Sequence, residues 1–193
     1  MVSTEVQMKK ILYIVTGNLK KYKIARSALL PYSIEVKQLD FETPEIQSTS
    51  IEEVAKYSAK FAAVRTGKTI IKGDFGMNIE ALNGFPGPFP KFINKWLSVN
   101  QFINLYKDED NKRACFIDAL AYCRPNEEPV CFVVKTYGTL TTQPSGDNGN
   151  MIDSVFIPDG FDKTLASFSE EETVKLWSND RYKQLAEYLK GVN

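Results

Sequence analysis

Two short stretches of this chain gather residue types that handle phosphate. The first, Thr16-Gly17-Asn18-Leu19-Lys20-Lys21, lies where an apolar strand pattern gives way to helical spacing. Free backbone amides and the positive end of a helix dipole favour an anion at such a junction, and lysine adds a point charge. The second, Gly73-Asp74-Phe75-Gly76-Met77, puts Asp74 just beyond an expected strand end, where open α/β sheets usually contact ligands. An aspartate there can hold a divalent cation or take a proton from water. Glu45, in Pro44-Glu45-Ile46-Gln47, is a third acidic candidate. Each also has an ordinary reading: a turn followed by a solvated basic face at Lys20, Lys21 and Lys23, a solvated turn aspartate, an exposed loop glutamate.

Composition removes much competing chemistry. None of the 193 residues is histidine, which excludes a Ser/His/Asp triad, a Cys/His dyad, a histidine metal site and an imidazole base. Cys115, Cys123 and Cys131 are odd in number and not spaced as CxxC, so neither a disulfide framework nor a zinc site is indicated. Their apolar neighbours place them in buried strands. Lys plus Arg and Asp plus Glu each count 24, so no overall field draws the chain to nucleic acid or to an anionic membrane. Any polyanion must be met by a local cluster. The longest apolar runs, such as Ile11 to Val15, are too short to span a bilayer and no secretory leader precedes them, so a cytoplasmic location is expected.

The elements that position these residues follow from periodicity. Lys10 to Thr16 reads as a strand, Leu19 to Leu30 as a helix with Tyr22, Ala25 and Leu29 inward, and Ile34 to Leu39 as a second strand. Ser48 to Ser50 offer caps for a helix over Ile51 to Val64, with Val54, Tyr57, Phe61 and Val64 on one face, and Thr69 to Lys72 returns to strand. Gly84 to Phe89 holds too many breakers for regular structure and reads as an ordered loop before a helix over Lys91 to Leu97. Ala114 to Cys123 and Val130 to Leu140 form a long hairpin; Glu170 to Lys175 and Asp180 to Lys190 are closing helices, the second with Leu185, Tyr188 and Leu189 inward. Helices and strands alternate first and a hairpin follows, which predicts an α/β fold on a mixed sheet. Met1 to Gln7 reads as a flexible extension, and residues 8–193 as a single domain.

These pieces occur in an order that resembles the inosine triphosphate pyrophosphatase family over nearly the whole chain. Thr16-Gly17-Asn18 with Lys21 is similar to the family's opening TGNxxK, and Pro44-Glu45-Ile46-Gln47 to its PEIQ segment with an acidic ligand. Ala81-Leu82-Asn83-Gly84-Phe85-Pro86-Gly87-Pro88-Phe89, followed by Lys91, resembles ALNGxPGPY almost letter for letter and is the most specific signal. Arg113-Ala114-Cys115-Phe116 resembles the start of the dimer-side hairpin, and Asp153, Phe156, Pro158, Gly160, Lys163 and Thr164 fit GFGYDPxFxPxGxxKT.

The resemblance implies a two-lobed fold on a long mixed sheet, a purine nucleoside triphosphate in the cleft between lobes, Mg2+, and a homodimer. It implies cleavage to monophosphate and pyrophosphate, with Asp74 and Lys21 in catalysis and Glu45 and Asp74 on the metal. Thr16, Asn18, Lys21, Lys91, Asn150, Ile152 and Asp153 fall at substrate-binding positions. Several working positions depart from the pattern: Ile24 replaces a glutamate, Gly73 an acidic residue, Phe75 a Ser or Thr, and Asn150 and Ile152 the two aromatics that flank the base. The run Glu172-Thr173-Val174-Lys175-Leu176-Trp177-Ser178-Asn179-Asp180-Arg181 stands where EKNxxSHR belongs, with Lys175 or Arg181 as possible stand-ins. Two readings follow: a pyrophosphatase with weakened base selectivity, or an impaired paralogue that binds nucleotide or a partner.

Overall fold

The computed structural model describes residues 10–176 and 180–192; the expected extension Met1 to Gln7 lies outside them. Strands β1 (Lys10–Val15) and β2 (Ile34–Leu39) pair in parallel from Lys10↔Ile34 to Val15↔Leu39, joined by helix α1 (Leu19–Leu29). Asn18 caps α1 by accepting from the Lys20 and Lys21 amides, and Ala25 and Leu29 on its inner face are fully buried. Pro31, inside a single 3-10 turn at Leu30–Tyr32, and Ser33 in the left-handed region (φ 58°) then reverse the chain.

Helix α2 (Ile51–Thr66) starts at Ser50, whose hydroxyl accepts from Glu53 N, and stops at Gly67 with φ 63°. Its buried face is Ile51, Val54, Ala55, Ser58, Ala59, Ala62 and Ala63. That corrects the expected face: Tyr57 and Val64 are 44% and 58% exposed. Alanines let the helix lie close on the sheet, and a short side chain leaves little trace in a hydrophobicity pattern.

Strand β3 (Ile70–Ile79) runs antiparallel to β5 (Arg113–Cys123), from Ile70↔Cys123 to Ile79↔Ala114. It is longer than the expected Thr69 to Lys72. Glycine in a strand costs roughly 0.5–1 kcal/mol, but Ile70, Ile71, Met77 and Ile79 are fully buried, each worth about 1.5–3 kcal/mol. Packing therefore outweighs the breakers Gly73 and Gly76. The two-residue β4 (Pro86–Gly87) folds back on β3, and α3 (Pro90–Trp96) and α4 (Val99–Ile103) follow, the latter closed by a Ser98/Gln101 capping box.

Strand β6 (Val130–Leu140) completes the expected hairpin with β5, and β7 (Phe156–Pro158) pairs with its last three residues. The sheet order is β2-β1-β3-β5-β6-β7, parallel at β1 with β2 and β3 and antiparallel elsewhere, flanked by helices as expected for a mixed α/β fold. Helices α5 (Glu170–Leu176) and α6 (Asp180–Gly191) close the chain.

Side chains from one sheet face, including Leu12, Ile14, Ile71 and Leu120, pack with α1 and α6; those from the other, including Val15, Ile70 and Ala119, pack with α2. Further along the first face, Met77, Ile79, Phe116 and Phe156 pack with Ile93, Phe102 and Tyr106. All three cysteines are free thiols in strands as their neighbours implied, with Cys115 and Cys123 buried as expected but Cys131 only half-buried.

Candidate active site

Strand β1 accompanies β3 only to Ile71, and β4 takes up that edge again at Met77. Between these points Lys72 to Gly76 is hydrogen-bonded on its β5 side alone, which leaves a gap in the sheet at the C-terminal end of β1. Asp74 stands in the middle of this stretch, so its expected place beyond a strand end is corrected: the strand continues and its neighbour stops. Three segments meet the gap, namely the α1 N-terminus, the loop before α2, and the Gly84 to Phe89 turn.

Each segment is fixed by its own residues. Thr16 Oγ1 accepts from Asn18 N at 3.0 Å, and Asn18 Oδ1 accepts from Lys20 N at 2.8 Å and Lys21 N at 3.2 Å. Both residues thus shape the turn, while a side chain added at Gly17 meets nothing within 4 Å, so the backbone there is open to a ligand. Buried Ser58 donates to the Pro44 carbonyl at 3.4 Å, and Ser48 Oγ donates to Glu53 Oε2 at 2.7 Å; together they tie the Glu45 loop to α2. Gly87 pairs with Met77, and a Cβ on Gly76 would collide with Ile51 and come within 2.7 Å of Gly87 O. That close approach requires glycine at 76 and sets the Pro/Gly segment beside the Asp74 stretch. Lys91 follows as an exposed residue in the first turn of α3.

The charges at the gap act on one another. Asp74 Oδ1 accepts from Phe75 N at 2.9 Å. Burial pushes the Asp74 carboxyl above the ordinary carboxylate range, against the Phe75 N–H and the positive charges of Lys21 and Lys72, and Glu45 adds to the rise. Burial, then the Lys21 charge, holds Lys72 below the usual lysine range, against attraction from Asp74 and Glu45. Lys21, Glu45, Lys72 and Asp74 therefore form one electrostatic cluster.

The residues expected at the base end are arranged differently. Asn150 is exposed, and its amide and carbonyl groups serve a turn: Asn150 N donates to Asp153 Oδ2 at 2.7 Å and Asn150 Oδ1 accepts from Ile152 N at 3.1 Å. Gly149 (φ 83°) leaves room where a Cβ would strike the Asp153 carboxylate. Asp153 thus closes the turn, and burial pushes its carboxyl up. Ile152 is 1% exposed in the core cluster around Phe116 and Phe156, so the structure places it among packing residues and does not bring it to the Asp74 cluster. The side chain of Lys175 lies outside the described residues. Arg181, in the first turn of α6, is ion-paired to Asp118 at 2.9 Å, and Lys21 also acts on that carboxylate.

A profile of the Ham1 family matches residues 12–187. The chain belongs to the Ham1 family. Among curated relatives, the dITP/XTP pyrophosphatase of Methanopyrus kandleri is 40% identical over 167 residues, covering 86% of this chain and 88% of that protein. The enzyme of the same name from Thermococcus kodakarensis is 36% identical over 177 residues, 91% and 95% of the two chains. The solved Ham1 protein of Coxiella burnetii superposes with a TM-score of 0.80 at 22% identity, covering 95% of this chain and all of that one. The Staphylococcus aureus Ham1 protein gives 0.79 at 24% identity and 95% coverage. The expected kinship with inosine triphosphate pyrophosphatases is borne out by these relatives.

In this Ham1 chain no group of three or more His, Cys, Asp and Glu residues could hold a metal among the described residues. The donor set at the gap is two carboxylates, Asp74 and Glu45. That set fits Mg2+, which is typically held by one or two carboxylates with substrate phosphates and water filling an octahedral shell. Two further features escaped the sequence reading. Lys72 joins the cluster because β3 continues through Asp74, which puts both residues on one face by alternation. Asp118, a lone charge in the apolar run Ala114 to Cys123, was a legible sign of a buried partner, which proves to be Arg181.

Proposed function

We propose that this Ham1 protein hydrolyses purine nucleoside triphosphates with abnormal bases, such as those of inosine, deoxyinosine and xanthosine, to the monophosphate and pyrophosphate. The observation that carries this reading is the Lys21, Glu45 and Asp74 cluster at the open edge of β3, in a chain 40% identical to a dITP/XTP pyrophosphatase. Asp74 and Glu45 would hold Mg2+, which would supply charge neutralisation and polarisation of the phosphate. Asp74 orients water and accepts its proton for attack at the α-phosphorus. Lys21 and Lys91 bind the phosphate tail through charge-assisted contacts, and the α1 N-terminus adds its dipole. The cleft between two lobes of a single domain receives the nucleotide. No observation favours the impaired binding subunit over hydrolysis.

Base selectivity is expected to be weak. A stacking ring contributes about 1–3 kcal/mol, about fivefold to 150-fold in affinity. Position 150 carries an exposed asparagine and position 152 a core isoleucine, so neither supplies a ring. Pyrophosphate release over a panel of triphosphates with Mg2+ tests this: kcat/KM for dITP and XTP is expected to exceed that for dATP and dGTP by less than about tenfold. A strong preference for inosine triphosphate contradicts this account of the base end.

A homodimer is expected through the β5–β6 hairpin. Strand β7 covers β6 from Gly138 to Leu140 and Asp159 N donates to Tyr137 O at 3.0 Å, so among the described residues the outer edge from Val130 to Thr136 has no neighbouring strand, and Val130, Phe132, Val133 and Val134 are half-buried. A free edge with apolar flanks is a ready pairing surface. Sedimentation equilibrium should give twice the chain mass, and a monomer at micromolar concentration would sink the claim. No helix among the described residues is long and apolar enough to cross a membrane, and a cytoplasmic location belongs with this reading.

A further inference from the structure

We propose that Lys72 is a second phosphate-binding ammonium of this site, acting with Lys21 to grip the pyrophosphate end of substrate and product. The inference rests on the pyrophosphatase reading above and adds a residue to it.

Lys72 lies two residues before Asp74 in the stretch of β3 that has a neighbour on one side only, so both side chains emerge from the same sheet face. It is half-buried. Among the described residues neither Lys72 nor Lys21 has a carboxylate oxygen within 4.0 Å or a side-chain hydrogen bond. The C-terminal end of β1, which leads into the turn before Lys21, borders the same open stretch of β3. The fold thus brings two ammonium groups to one gap, one of them partly withdrawn from water, without a direct counter-ion. Such an arrangement is unfavourable alone and becomes favourable when an anion enters.

The chemistry of that anion follows from the surroundings. The capped N-terminus of α1 and the open backbone at Gly17 border the same gap, and both suit phosphate oxygens. With Glu45 and Asp74 the four charged groups sum to zero, so the positive pair offsets carboxylates that would otherwise repel a polyphosphate. Lys72 therefore acts on the phosphate tail, independently of which base is attached.

The test uses sodium pyrophosphate in metal-free buffer as the probe, titrated calorimetrically into the whole protein and into the variants Lys72→Met, Lys72→Gln and Lys72→Arg. The expected result is about tenfold weaker pyrophosphate binding for the Met and Gln variants and near-native binding for Arg. With dITP and Mg2+, KM should rise about tenfold while kcat changes less than about threefold, and the Tm should not fall, since a partly desolvated charge has been removed. Native-like pyrophosphate affinity in a folded Met or Gln variant overturns the proposal, as does wild-type protein that binds no pyrophosphate. If wild-type protein binds pyrophosphate through Lys72 yet hydrolyses no triphosphate, the anion site stands and the pyrophosphatase reading fails.

Discussion

Replacing Asp74 with asparagine is expected to lower kcat/KM for dITP at least about a thousandfold, about 4 kcal/mol of transition-state stabilisation, without lowering the Tm. Asparagine keeps the shape and still offers an oxygen to Phe75 N, which Asp74 Oδ1 engages at 2.9 Å. In the proposed mechanism it removes the charge that would hold the metal and the acceptor that would take the proton. The stability half follows from the direction of the shift. Burial raises the Asp74 pKa in the folded protein, so its contribution is fully present below the ordinary value and is lost as pH rises through the raised one. At neutral pH the ionised carboxylate is a burden on the fold, and the variant should melt at the same temperature or higher, the difference vanishing in acid. Without Mg2+ the Asp74 carboxyl should titrate above the ordinary 3.8 of aspartate. Steady-state kinetics at neutral pH, with metal-free melting curves for both proteins across pH, check these outcomes.

Asp118→Ala is expected to have the largest effect on stability. Its carboxylate lies 2.9 Å from Arg181, with only 17% and 16% of the two side chains exposed. Removing one partner of a buried pair costs about 3–5 kcal/mol, because the other charge is left without compensation. Partial solvent access places this pair at the lower end, about 3 kcal/mol, or about 6–12 °C in Tm for a chain of this size. The guanidinium also stacks over Tyr182, with its carbon 5.0 Å from the ring centre, so it cannot simply swing into water. A double variant, Asp118→Leu with Arg181→Met, should recover most of the loss, since apolar groups of similar volume satisfy such a site. Urea unfolding of both single variants and the double gives the coupling directly. Additive losses would show that the pair is not a unit.

How legible all this was depended on whether the determining contacts were local. Strands β1 and β2, helix α1 and the β5–β6 hairpin were readable because their apolar periods and caps lie within a few residues: Asn18 caps α1, and Pro125 and Pro129 bracket the hairpin turn. The extent of β3 was not readable. Gly73, Asp74 and Gly76 are poor strand formers, and the strand persists through them because β5, about forty residues away, pairs with it throughout. Losing the second half of β3 hid Lys72 as a neighbour of Asp74. The buried face of α2 was misjudged for a related reason, since Ala59, Ala62 and Ala63 are selected by closeness to the sheet. Helix α4 was passed over because five residues carry too little periodicity, although Ser98 and Gln101 form a capping box.

At the site, the residues with phosphate chemistry were legible from motif spacing, but their division of labour was not. Thr16, Asn18, Asn150 and Asp153 use their polar atoms to hold turns together, and Ile152 is core. Only the three-dimensional arrangement separates groups that shape the backbone from the groups proposed to meet a ligand, such as Lys21 and Lys72.

Hydrolysis of dITP in water enriched with oxygen-18, with Mg2+ and mass analysis of both products, tests the central claim most directly. Water attack at the α-phosphorus predicts one labelled oxygen in deoxyinosine monophosphate and none in pyrophosphate. Release of inorganic phosphate with a diphosphate product, or no hydrolysis of any purine triphosphate, would contradict it.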